Sequence, residues 1–198
     1  MEEWFTDIYN KCEWGNNNNK LYKGSSGSGS SLSVNETYIS NLRDFFKRNN
    51  IESVVDIGCG DWQSSYLIYQ DMNIKYTGYD CYKDVVNANS ILFPGYEFKH
   101  LDVFKDREEL IDADVYILKD ILQHWTCKEI DQFLECLLKK NFKYIIICNC
   151  SGQTMDYQDY PLRSRPLSIN FYPLKKYPFS KWFTYSTKEV SILEKTNM

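Results

Sequence analysis

Val54-Val-Asp-Ile-Gly-Cys-Gly-Asp-Trp62 is the stretch that decides how this 198-residue chain is read. Its first half belongs to an apolar run, Ser53 to Ile57, with the length and β-branched content of a buried strand. The run then breaks into Asp56-x-Gly58-x-Gly60, a strand end passing into a helix. Glycines at such a turn let the backbone reverse tightly and let a ligand come close to the main chain. Two glycines also fit a plain strand-to-helix turn, so the flanking sequence has to carry the weight.

Strand and helix patterns alternate on both sides of this turn. Residues 36–49 carry Tyr38, Ile39, Leu42, Phe45 and Phe46 on one helical face, and Asn49-Asn50 ends the helix. A helix is expected over about 62–72, a strand over Lys75 to Tyr79, a helix over 82–92 ended by Pro94-Gly95, and a strand over Tyr96 to His100. A short helix at about 105–111 and a strand from Asp114 to Lys119 follow. Thr126 and Glu129 form a T-x-x-E capping box ahead of the stripe Ile130, Phe133, Leu134, Leu137 and Leu138. Lys143 to Cys148 is a fifth, Ile-rich strand. Residues 151–180 hold Pro161, Pro166, Pro173 and Pro178 and read as a long loop, and a hairpin made of Trp182 to Tyr185 and Val190 to Glu194 closes the chain. The alternation predicts an α/β Rossmann-like three-layer sandwich: a mostly parallel seven-stranded sheet, helices on both faces, and a C-terminal antiparallel hairpin. One domain over 1–198 is expected, with an N-terminal segment (1–34), a ligand-binding core (35–150) and a closing segment (151–198).

The ends of the first three strands carry acids. Asp80 lies twenty residues after Gly60, in Gly78-Tyr-Asp80, where an acid can accept both hydroxyls of a ribose. The third strand runs into His100-Leu-Asp-Val-Phe104, placing Asp102 at the same edge, within reach of an adenine. Such a crevice is where a doubly wound sheet binds ligands. A dinucleotide would call for a glycine where Gln63 stands, and no GxxxxGK[ST] phosphate loop is present, so a nucleoside without phosphates fits better.

These motifs resemble those of class I S-adenosylmethionine-dependent methyltransferases over residues 53–150: VVDIGCG, YTGYD, HLDVF and VYILKDILQHW. The resemblance implies S-adenosyl-L-methionine as cofactor and S-adenosyl-L-homocysteine as product. It implies that Asp56, Gly58 and Gly60 shape the methionine and ribose pocket, that Asp80, followed by Cys81, binds ribose, that Asp102 and Val103 lie along adenine, and that Lys119 ends the fourth strand beside the methyl donor. Trp62 stands where many relatives have a third glycine, and its side chain would close the pocket. Nearly the whole chain is also similar to a group of short methyltransferases that share a Trp-Gly pair, a Gly/Ser stretch, GCGDWQ, KDxLQHW and an RPL segment. Here these are Trp14-Gly15, Gly27 to Ser31, Gly58 to Gln63, Lys119 to Trp125 and Arg165 to Leu167.

That likeness leaves two readings of the N-terminus. Asn16 to Asn19 and the Gly/Ser run from Gly24 read as a flexible linker. Alternatively, Ser28, Gly29, Ser30 and Ser31 grip a carboxylate of the ligand and Trp14 lies over it.

For a hydroxyl acceptor a base is required. His124, just after the fourth strand, is the first candidate, with packing beside Trp125 as the alternative; Asp120 is the second, with helix capping as its alternative. Asn149 is placed to orient substrate, and Arg163 and Arg165 to hold a carboxylate or phosphate. An N-P-P-Y amide-methylating signature is absent after the fourth strand, which favours an oxygen on a small molecule, a sugar among them. A non-catalytic nucleoside-binding or scaffold protein, a protein or nucleic-acid methyltransferase, and an NAD-dependent oxidoreductase are the competing readings.

Composition narrows the setting. The formal net charge of −4 weighs against a nucleic-acid partner, although Arg163, Arg165, Lys175, Lys176 and Lys181 gather late in the chain. Seven cysteines with no CxxC pair, and only two histidines, point to a reducing, cytoplasmic setting without disulfides or a structural metal. No signal peptide and no run of membrane-spanning length is expected. The many Asn, Lys, Ile and Tyr residues suggest an AT-rich genome, such as that of a large DNA virus, a protist or a low-GC bacterium.

Overall fold

In the computed structural model, residues 2–158 and 164–195 are described. The chain falls into two compact units, Met1–Asp106 and Arg107–Met198. The seven strands follow in the order β3-β2-β1 in unit 1 and β4-β5-β7-β6 in unit 2, the succession of a Rossmann-like methyltransferase sheet.

Unit 1 contains α1 (Glu2–Asn10), α2 (Leu32–Arg48), β1 (Ser53–Ile57), α3 (Tyr66–Tyr69), β2 (Lys75–Asp80), α4 (Lys83–Leu92) and β3 (Glu97–His100). β1 pairs in parallel with β2, Ser53 opposite Lys75 and Ile57 opposite Tyr79, and β2 pairs in parallel with β3. Val54 to Ile57 are all buried, as a central parallel strand requires, and Asp56 among them is met by the Tyr76 hydroxyl. α2 buries Tyr38, Ile39, Leu42 and Phe46, and it stops where Asn50 turns left-handed at φ 47°.

Unit 2 contains β4 (Val115–Lys119), α5 (Cys127–Leu137), β5 (Tyr144–Cys150), β6 (Ser180–Tyr185) and β7 (Lys188–Glu194). β4 and β5 are parallel, while β5–β7 and β6–β7 are antiparallel. The Thr126 hydroxyl accepts the Glu129 N–H at 3.2 Å and Glu129 Oε2 accepts the Thr126 N–H at 2.8 Å, so the capping box closes as the sequence predicts. Ile130, Phe133, Leu134 and Leu137 are buried and Leu138 is half-buried. Among the described residues, no helix is long and apolar enough to cross a membrane.

Three local expectations are corrected. The helix expected over 62–72 shrinks to Tyr66–Tyr69, because Trp62 at its start and Asp71 near its end take left-handed φ values, 54° and 62°, which a right-handed helix cannot include. The helix expected over 105–111 is a single 3-10 turn, Arg107–Glu109. The N-terminal segment begins with a helix, α1, which the Asn and Gly/Ser runs concealed.

Candidate cofactor and acceptor sites

In unit 1 the site grows out of the glycine turn. The Gly58 and Cys59 amides donate to Tyr79 O at 2.8 and 3.0 Å, tying the turn to the end of β2. The Gly60 amide donates to Asp80 Oδ2 and the Tyr82 amide to Asp80 Oδ1, each at 2.9 Å. The carboxylate of Asp80, 9% exposed, therefore clamps the turn to the start of α4. Burial raises its pKa, and the Tyr82 and Gly60 amides oppose that. Asn89 Nδ2 donates to Gly60 O at 2.7 Å and completes the clamp.

Other predicted positions are placed as follows. Asp56 is buried and accepts the Tyr76 hydroxyl at 2.9 Å. Asp102, past the end of β3, accepts the Phe104 amide at 3.1 Å and the Glu2 amide at 3.4 Å. Burial pushes Asp102 up, but the Phe104 and Glu2 amides and Lys105 outweigh it, and the carboxyl stays below its ordinary range. Val103 is half-buried in the turn beyond. Cys81 is half-buried; burial, then Asp80 and Asp102, push its thiol up, and its carbonyl accepts from His100 Nε2 at 3.1 Å. Trp62 is 1% exposed, with ring centroids 4.8 Å from Tyr76 and 5.1 Å from Phe98. Its indole sits in the aromatic core of unit 1, so its left-handed backbone serves the turn and its side chain serves packing.

The N-terminal segment lies directly on this turn. Ser26 and Asp61 exchange bonds: the Ser26 amide donates to Asp61 Oδ2 at 2.9 Å and the Asp61 amide to Ser26 Oγ at 2.7 Å. Tyr9 OH and Ser26 Oγ are 2.7 Å apart, and Tyr9 stacks on Tyr82 with centroids at 4.4 Å. A Cβ on Gly60 would run into Ser26 Oγ. Trp14 packs edge-on against Trp4, Phe5 and Tyr9. Ser28, Gly29 and Ser30 form a 3-10 turn whose carbonyls are used: Gly29 O accepts from Asn35 Nδ2 at 2.8 Å and Ser30 O from Ser64 Oγ at 2.8 Å. Tyr9, Ser26, Asp61 and Tyr82 meet at the turn, a grouping the sequence did not show: GCGDWQ contained Asp61, but nothing in the sequence showed which residue it would meet.

These residues fit a nucleoside. Asp80 is oriented by two amides yet a carboxylate offers about four acceptor positions, so capacity remains for ribose hydroxyls beside a turn with small residues.

In unit 2 the end of β4 carries a charge cluster. Asp120 is left-handed at φ 61°, and its amide donates to Cys148 O at 2.8 Å. Lys119 Nζ donates to Asp120 Oδ2 at 2.9 Å, and Lys188 Nζ donates to Asp120 Oδ1 and, at 3.1 Å, to Cys150 Sγ. Burial pushes Asp120 up, but Lys119 and Lys188 prevail and hold it below its usual range. Lys188, buried on β7, was not foreseen from sequence. His124 lies on the 3-10 turn Leu122–His124 and is 8% exposed. Burial pulls its pKa down to about 4, with Asp120 opposing and Lys188 adding to the depression, so the imidazole is neutral at pH 7.

Asn149 is buried near the end of β5, and its Oδ1 has no hydrogen-bond partner among the described residues. Arg165 is 5% exposed; its Nη2 donates to Trp125 O at 2.9 Å and to Cys127 Sγ at 3.3 Å, and its guanidinium lies 4.7 Å from the Tyr157 ring centroid. Arg163 lies outside the described residues. Among the described residues, no group of three His, Cys, Asp or Glu is placed to hold a metal ion.

No family model matches the sequence, and no curated protein matches it either. Solved structures do match. Magnesium protoporphyrin IX methyltransferase from Synechocystis PCC 6803, with bound SAH, is similar at 12% identity and a TM-score of 0.64, over 98% of this chain and 99% of that one. An O-methyltransferase family protein from Burkholderia thailandensis is similar at 11% identity and 0.63, over 82% of this chain and 56% of that one. Human N-acetylserotonin methyltransferase in complex with SAM is similar at 16% identity and 0.57, over 85% of this chain and 58% of that one. The chain thus spans little more than half the length of the last two. It has the Rossmann-like methyltransferase fold.

Proposed function

We propose that the protein is an S-adenosylmethionine-dependent methyltransferase acting on an oxygen of a small molecule. The carrying observation is the glycine turn of unit 1 clamped by Asp80 at the end of β2. In this reading Asp80 accepts the ribose hydroxyls, Gly58 and Gly60 present backbone to the methionine part, and Asp102 with Val103 flanks the adenine. The segment running from α1 to Ser31, with Trp14 and Ser28 to Ser30, is the cap of that pocket, fastened by Ser26 to Asp61 and by Tyr9 to Tyr82.

The cofactor supplies an already activated methyl group on a sulfonium, so the protein's task is alignment and exclusion of water. In unit 2 the two carboxyl-end candidates divide by charge. Asp120 is held ionised between two ammonium groups and is spent as their counter-ion. His124 is neutral at pH 7, its pKa lowered to about 4 by burial. A base with a pKa near 4 is weak towards a free alcohol. It is strong enough towards an alcohol oxygen that has begun to bond to the methyl carbon, since that oxygen has become far more acidic. His124 is therefore the group proposed to take the acceptor's proton.

Calorimetric titration with S-adenosylmethionine and S-adenosylhomocysteine, with NAD and ATP alongside, tests the reading. Micromolar binding of the first two is expected. It should weaken about 100-fold in Asp80→Asn, on the order of 2–3 kcal/mol for a charge-assisted interaction lost. Failure of a folded protein to bind either ligand refutes it.

A further inference from the structure

We propose that the acceptor site in unit 2 takes an anion, a carboxylate or a phosphate ester, with Arg165 as the group that holds it. The proposal rests on the methyltransferase reading only in calling the bound molecule an acceptor; the anion site stands on its own geometry.

Arg165 is a buried cation whose donors are only partly used. Nη2 is spent on Trp125 O and Cys127 Sγ, while Nε and Nη1 are buried with no hydrogen-bond partner among the described residues. No carboxylate among the described residues pairs with it, and the Tyr157 ring lies against its face, 4.7 Å away. A buried cation is costly unless it is paired and its donors are met. Guanidinium donors suit the oxygens of carboxylates and phosphates, and a charge-assisted bond is at its strongest out of water.

Two lysines lie further along the same network of bonds. The backbone amide of Arg165 donates to Gln123 O at 3.2 Å, and Gln123 Oε1 accepts the Cys150 amide at 3.1 Å. Cys150 Sγ in turn takes the Lys188 ammonium at 3.1 Å. Arg165, Lys188 and Lys119 are thus joined through one short run of bonds, with Asp120 bonded to both lysines. His124, on the same turn as Gln123, is neutral and offsets none of this. Ser164, next to Arg165, is held left-handed at φ 88°, and its amide also donates to Gln123 O at 3.0 Å, so the backbone at this point is fixed.

The test reads the guanidinium directly. The Arg165 Nε–H signal in a ¹⁵N–¹H correlation spectrum, assigned by its loss in Arg165→Lys, is followed while the full chain is titrated with inorganic phosphate and, separately, with acetate. Sodium chloride at matched ionic strength is the control. A saturable shift with half-saturation in the millimolar range, absent with chloride, is expected, and Lys188→Met should weaken it several-fold. Binding of S-adenosylhomocysteine by Arg165→Lys, measured in parallel, should equal that of the parent. If neither anion moves the Nε–H signal beyond the chloride control, the anion site is overturned, whatever the homocysteine ligand does. If the anions shift it while the homocysteine ligand fails to bind, the anion site holds and the methyltransferase reading falls instead.

Discussion

The carboxylates at the strand ends of unit 1 are held by amides and a hydroxyl, and the one at the end of β4 in unit 2 is held by two lysines. In unit 1, Asp56, Asp61, Asp80 and Asp102 each have at least one bond to a named hydroxyl or amide, and most of these partners are backbone N–H groups. In unit 2, two lysines share Asp120, and Arg165 keeps two buried donors without partners among the described residues. The difference separates two jobs. The turn of unit 1 ties down its carboxylates with backbone amides but leaves two buried acceptors, Asp61 Oδ1 and Asn89 Oδ1, without a partner among the described residues, a cost that a fixed turn can carry on neutral or shared groups. A site that must receive a charged molecule leaves donors for it.

Four experiments break or sharpen that contrast. The largest effect is expected at Gly60. Alanine there would be strained at φ 57° and would collide with Ser26 Oγ, so Gly60→Ala should cost at least about 3 kcal/mol in urea unfolding. A cost below about 1 kcal/mol would show that the turn is looser than its bonds suggest.

The next effect belongs to unit 2 and depends on pH. The folded protein holds His124 at a pKa of about 4, whereas an unfolded histidine titrates near 6.5. Below pH 6.5 the unfolded chain takes up a proton that the folded chain refuses, so stability falls as pH drops from about 6.5 to about 4 and levels off below that. Between pH 7.5 and 4.5 the loss should be roughly 2–3 kcal/mol. His124→Asn should remove that portion of the slope, and an unchanged slope would mean that the imidazole is solvated.

Ser26→Ala removes the hydroxyl that Tyr9 and the Asp61 amide share. It should cost about 1–2 kcal/mol and speed amide hydrogen exchange across α1 while leaving α5 unchanged. Equal acceleration in both helices would deny that the N-terminal segment is fastened locally. Thr126→Ala is the smallest, about 1 kcal/mol, or 2–4 °C in thermal midpoint for a chain of this size.

Residue patterns with a short range were legible in advance. β1 and the Thr126–Glu129 box were read with their correct ends, because a strand's apolar run and a cap's spacing are local properties. The acids at Asp80 and Asp102 were found by their distance from Gly60 and their position after a strand. Trp62 was not legible: its place in GCGDWQ suggested the pocket, and its side chain is instead held by Tyr76 and Phe98 from distant parts of unit 1. α1 was hidden because only nine residues form it and its Asn- and Gly/Ser-rich surroundings read as a linker.

The sequence by itself determined the alternation of strand and helix, the glycine turn and the acids that follow it, since each is written in neighbouring residues and in the period of the apolar positions. Tertiary structure alone decided which groups meet. It set Ser26 on Asp61 across 35 residues, Lys188 on Asp120 across 68, and Arg165 beneath Tyr157 with two donors unmet. Those pairings depend on where packing brings separate segments together, and burial then fixes what each charge is worth.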